Sequence, residues 1–85
     1  MNVLVPGALH HYTRRSPVQA EGSTLGELFD DLERQFPGLA FRVVDERRQL
    51  RPNMRVFVSG LGVRDLAHPL RPDDEVALVL ALSGG

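Results

Sequence analysis

The residues best suited to do chemistry are the last two, Gly84 and Gly85, which follow Leu80-Ala81-Leu82-Ser83. Inside a chain a Gly-Gly pair is a turn signal. Directly after an apolar run, at the end, it needs another account, because two residues of maximal backbone freedom stabilise neither helix nor strand. Without Cβ atoms they form a thin stalk that can enter a narrow channel in another protein. The Gly85 carboxylate is then the expected reactive group. The competing reading is a frayed terminus of no consequence.

No other constellation rivals it. His10 and His11 are adjacent, point apart on an extended segment and have no acidic ligand nearby, while His68 is distant. Solvated loop histidines, and no metal site, are expected. Asp73, Asp74 and Glu75 suit a turn better than a cation site, and Asp30-Asp31 suits a solvated helix face. There is no cysteine, which excludes a disulfide framework and a thiolate zinc site. A phosphate-binding glycine loop and a nucleophile–base set are also missing from the sequence. All ten basic residues are arginine. A lysine-free chain cannot be linked to itself through an isopeptide bond, although a genome rich in G and C explains the same bias and is the preferred account.

The elements that position this end must fit into 85 residues, enough for one domain with a thin core. The charged fraction of 25% is ordinary and argues against a disordered chain. A net charge of -1 gives no electrostatic case for nucleic acid or an anionic membrane. No apolar run has the length of a membrane span, and the first residues lack the pattern of a signal peptide. The expectation is a cytoplasmic protein, monomeric on its own, with neither nucleic acid nor membrane as a partner.

Residues 1–5 alternate as a strand, with Val3 and Val5 on one face and Asn2 and Leu4 on the other. Pro6-Gly7 ends it, residues 8–12 read as an unpatterned connection, and residues 17–20 suit an edge strand that begins with proline. Thr24 and Glu27 fit a capping box. Behind it, Leu25, Leu28, Phe29, Leu32 and Phe36 share one helical face, and Pro37-Gly38 stops the helix. Residues 39–44 suit a further short helical turn, and residues 45–53 a loop. Residues 54–59 alternate again, with Met54, Val56 and Val58 opposite Arg55, Phe57 and Ser59. Gly60 and Gly62 mark a tight turn, and Val63-Arg64 a short return strand. Leu66 and Leu70 read as loop anchors. Pro72-Asp73-Asp74 forms a turn, and the apolar run from Glu75 to Leu80 suits a central strand. Two strands, a long helix and further strands argue for an α+β fold, with the first and last strands paired at the sheet centre.

This order, together with the tail, resembles the ubiquitin-like β-grasp sulfur carriers of the MoaD/ThiS family. Ser23-Thr24-Leu25-Gly26-Glu27-Leu28 looks like the family's helix opening and Phe36-Pro37-Gly38-Leu39 like its end. Arg55-Val56-Phe57-Val58-Ser59-Gly60 stands where the family has V-x-V-N-G. Leu70-Arg71-Pro72-Asp73-Asp74-Glu75-Val76 resembles L-x-D-G-D-E-V, and Ser83-Gly84-Gly85 matches the family ending. The resemblance spans essentially the whole chain. Residues 36–51 and Val5-Pro6-Gly7-Ala8-Leu9 look most like the cysteine-pathway (CysO-like) carrier. Leu80 stands where the family commonly has proline, and Ser59 where it has asparagine.

The resemblance implies a mixed four- to five-stranded sheet on one main helix, with residues 1–80 as the β-grasp domain and 81–85 as a flexible reactive tail. It implies no bound cofactor, with ATP used by an E1-like (MoeB/ThiF-type) adenylyltransferase. Gly85 would be adenylated and then thiocarboxylated, with Ser83 and Gly84 as the tail leading to it, and the sulfur passed to an accepting synthase. The chain would be a protein co-substrate, or the small subunit of an enzyme such as molybdopterin synthase. Period two sends Leu4, Phe57, Ala77 and Val79 to the open side of the sheet. With Arg55, Leu80 and Leu82 they form the expected partner-binding surface, because an aromatic beside an arginine on an exposed apolar patch is a common contact composition. Two alternatives stand beside the carrier: a ubiquitin-like modifier joined through Gly85 to target lysines, and a plain β-grasp interaction domain without tail chemistry.

Overall fold

The first and last strands do meet at the centre of one sheet. A computed structural model describes residues 1–81. Its five strands are β1 (Asn2–Leu4), β2 (Val18–Gln19), β3 (Met54–Val58), β4 (Leu61–Val63) and β5 (Val76–Leu80), in the order β2-β1-β5-β3-β4. β1 and β5 run parallel, and the other neighbours are antiparallel. A mixed sheet covered on one side by a helix is the ubiquitin-like β-grasp arrangement. β5 lies between two neighbours, which suits a strand whose every residue is apolar. β2 is the edge strand expected after Pro17.

The covering element is α2 (Leu25–Gln35). Thr24 Oγ1 accepts from Glu27 N–H at 3.2 Å. The Glu27 carboxylate returns one residue further out than usual, to Ser23 N–H at 2.8 Å. Thr24 itself forms a bridge with Pro69. Leu25, Leu28, Phe29 and Leu32 are buried against Val3, Val18, Met54, Val56, Val76 and Leu78, each buried side chain contributing about 1.5–3 kcal/mol over leaving it in water. The helix ends at Gln35 with Phe36 as its C-cap, just ahead of Pro37; Gly38, whose φ of 96° suits glycine, starts the next helical turn, and Glu33 accepts from its N–H at 2.8 Å.

Three expectations need correction. Residues 8–12 are not irregular: a 3-10 turn (Gly7–Leu9) leads into the one-turn helix α1 (His10–Thr13). Together with α3 (Leu39–Val43), α1 accompanies the main helix. Leu9 is buried, and that anchor organises a segment whose polar residues carry no period. The tight turn between β3 and β4 is Ser59-Gly60, with φ of 47° and 89°, the signature of a two-residue hairpin. Gly62 lies within β4, opposite Phe57. Leu80 continues the phase of Val76 and Leu78, pairs with Met54 and packs partly against the core, so it faces the helix and not the open side.

Candidate functional surface at the tail root

The open side of the sheet carries the patch. Leu4 stands opposite Ala77, Ala77 opposite Phe57 and Phe57 opposite Gly62, one row across four strands. Val79 stands opposite Arg55 in the next row, toward the end of β5. Leu4, Phe57 and Val79 are 38%, 37% and 42% exposed, unusual for large apolar side chains in a row. The Phe57 ring lies over Gly62 of β4, where a Cβ would meet it at 3.6 Å, an ordinary contact distance. Arg55 does not reach into solvent freely. Its guanidinium donates to the Pro52 and Met54 carbonyls at 2.7 and 3.0 Å, which ties it to the end of the patch where β5 finishes.

β5 finishes at Leu80, and Ala81 N–H donates to the Asn53 carbonyl at 2.7 Å. That bond fixes the point from which the tail departs. Of the expected site residues, the structure thus brings together Leu4, Arg55, Phe57, Ala77 and Val79. It separates Leu80, which lies on the opposite side of the sheet. Leu82, Ser83, Gly84 and Gly85 lie outside the described residues.

The turn that launches β5 is firmly held. Asp74 accepts from Arg71 N–H and from the Ser59 hydroxyl, both at 2.8 Å. The Arg71 N–H, followed by the Ser59 hydroxyl, holds the Asp74 carboxyl below the usual carboxylate range. Asp31 is lowered in the same way, first by the Glu21 N–H and then by Arg34. It belongs to an open acidic groove of about 640 Å³ between α2 and the first residue. There Glu21 pairs with the Met1 amine and Glu27 caps the helix, so its carboxylates are spent on the fold.

The histidines differ from expectation. The His10 ring is bonded to the Val5 carbonyl at 2.8 Å and is half-buried, whereas His11 is exposed and stacks on Tyr12 with ring centroids 4.1 Å apart. Sequence reasoning also missed a second groove, of about 450 Å³, beside Leu80. Its rim is Phe41, Arg42 and Arg51. Phe41-Arg42 in an expected helical turn was a visible signal, while Arg51, in a loop, gave none.

The match to known proteins extends over the same span as this architecture. The ThiS family model matches residues 3–85. No curated protein matches the chain. A solved chain of the Amycolatopsis orientalis BexX/CysO complex is similar at 30% identity, over 99% of this chain and 98% of that one, with a TM-score of 0.91. Mycobacterium tuberculosis CysO is similar at 29% identity over 95% and 98%, with a TM-score of 0.90. Haloferax volcanii SAMP1 is similar at 26% over 100% and 98%, with a TM-score of 0.78. A capped helix on a mixed sheet, a central last strand and a family match that runs through the glycine pair lead to one conclusion: the chain belongs to the ThiS family, ubiquitin-like β-grasp proteins that serve as sulfur carriers or modifiers.

Proposed function

We propose that this protein is a sulfur carrier whose Gly85 carboxylate is the reactive group, activated and emptied by other proteins. The carrying observation is that the strand ending at the tail root also supplies Ala77 and Val79 to the exposed apolar face. A protein docked on that face therefore holds the tail at a fixed starting point, and a tethered, oriented group reacts as if highly concentrated. The similarity to a chain of the BexX/CysO complex and to CysO supports the reading.

The chemistry follows from the weakness of a carboxylate as an electrophile. On an E1-like adenylyltransferase, the Gly85 carboxylate attacks the α-phosphorus of ATP and pyrophosphate leaves. A sulfur nucleophile attacks the acyl carbon of the adenylate, AMP departs, and a thiocarboxylate remains. That group is ionised at neutral pH and hands its sulfur to an acceptor held in a synthase, for cysteine, molybdopterin or a related cofactor. The chain acts as co-substrate in this scheme.

Intact-mass spectrometry tests it. Full-length protein incubated with the activating enzyme, ATP and sulfide gains the mass difference between sulfur and oxygen, and a chain lacking Gly85 does not. The same gain in the truncated chain refutes the proposal. The similarity to SAMP1 favours a second reading, a modifier that forms an amide with target lysines. It predicts a ladder of covalent adducts that disappears with Gly85, in place of the thiocarboxylate.

A further inference from the structure

The tail root has a second surface on its other side. Leu80 faces away from the open patch and, with Leu9 and Met54, floors the groove beside it. Phe41, 57% exposed, forms one wall. The rim carries Arg42, Arg51 and His11, and among the described residues no carboxylate lines it. The two arginines are held by the inner edge of their guanidinium groups. Arg51 Nε donates to the Phe41 carbonyl at 2.7 Å, and its guanidinium lies 4.7 Å from the centre of the Phe41 ring. Arg42 Nε donates to the Tyr12 hydroxyl at 2.9 Å. Among the described residues, no terminal N–H of either is bonded and neither is in an ion pair. Guanidinium groups fixed in this way are pre-organised donors for carboxylates.

We propose that this groove is a second docking surface, occupied by an extended acidic segment of a partner protein. An apolar side chain of the segment enters between Phe41 and Leu80, and flanking carboxylates meet Arg42 and Arg51. Charge complementarity selects an acidic occupant. The apolar floor selects a peptide over a phosphodiester, which has no side chain to place there. Continuity with the tail selects a partner that receives the tail: Asn53, which holds Ala81, is part of the groove wall. A protein that takes up the chain beyond Ala81 meets it beside this groove wall. Grip on both faces of the sheet would clamp the tail root and set its exit direction.

The test uses isotope-labelled full-length protein and amide chemical-shift titration, and it does not depend on tail chemistry. The probe is the acetylated, amidated peptide Gly-Glu-Leu-Glu-Gly, compared with the same peptide carrying Gln for Glu. Saturable shifts are expected at Phe41, Arg42, Arg51, Asn53 and Leu80. Affinity should fall about tenfold or more with the Gln peptide, and likewise in Arg42→Glu/Arg51→Glu, as loss of charge-assisted bonds requires. Arg42→Glu alone, at an exposed position, gives the same direction if the double variant unfolds. The proposal is overturned by an absence of saturable shifts, by equal affinity for both peptides, or by shifts confined to Leu4, Phe57 and Val79. Equal or tighter binding of a short oligothymidylate at the groove also overturns it, as does a concentration-dependent spectrum placing a second copy there.

Discussion

Truncating Phe57 to alanine separates docking from folding. The side chain is 37% exposed, and a phenylalanine of about 200 Å² therefore leaves about 75 Å² of apolar area for a partner to cover. At about 25 cal/mol per Å² this is worth about 2 kcal/mol, or about 25-fold in affinity. That figure is a ceiling, because association converts area to affinity incompletely. The same conversion gives about 3 kcal/mol for the roughly 125 Å² that the ring already buries over Gly62 and its strand neighbours, so the unfolding midpoint falls too and KM is compared at a temperature where the variant is folded. The assay is ATP–pyrophosphate exchange by the activating enzyme at varied carrier concentration, with thermal unfolding run alongside. KM for the carrier should rise by several-fold up to about 25-fold, with kcat nearly unchanged, because the interaction is made equally before and during adenylation. Leu4→Ala, two strands away in the same row, should act in the same direction. A folded Phe57→Ala variant with wild-type KM refutes the role of the open face.

Two further substitutions probe the scaffold. A Cβ at Gly22 would sit 2.5 Å from Leu28 N and 2.9 Å from the Glu27 carbonyl carbon, so Gly22→Ala should destabilise by about 2 kcal/mol or more, read as a lower denaturant midpoint; an unchanged midpoint shows that the close approach relaxes freely. The depressed pKa of Asp74 contributes stability that is present above the unfolded carboxylate value of about 3.9 and is lost as pH falls through the folded value. Asp74→Asn should therefore lower stability at neutral pH and flatten its decline as pH falls below the ordinary carboxylate range. A decline as steep as wild type contradicts the Arg71–Asp74–Ser59 bonding.

What the sequence determined by itself are the features set by local period and local chemistry. Alternation placed Val3, Met54, Val56, Val58, Val76 and Leu78 on the core side and Leu4, Phe57 and Val79 on the other, because successive strand residues must point to opposite faces. Thr24 and Glu27 bounded the main helix at its start through capping, and Pro37-Gly38 at its end. The same period, carried two residues past Leu78, also puts Leu80 on the core side, although it is grouped with the expected partner-binding residues.

The tertiary structure alone decided what depends on residues far apart in the chain. The apolar runs of β1 and β5 made their central pairing legible, but its parallel direction, which sets the end of the sheet that releases the tail, is encoded by no local pattern. The helical order of residues 7–13 comes from the buried anchor Leu9 and not from propensity. Gly22 owes its necessity to a helix backbone folded against it. The groove beneath the tail root arises because α3 and the loop before β3 bring Phe41 and Arg51 together across ten residues. Side chains from separate elements form a surface only once the core has fixed those elements in place.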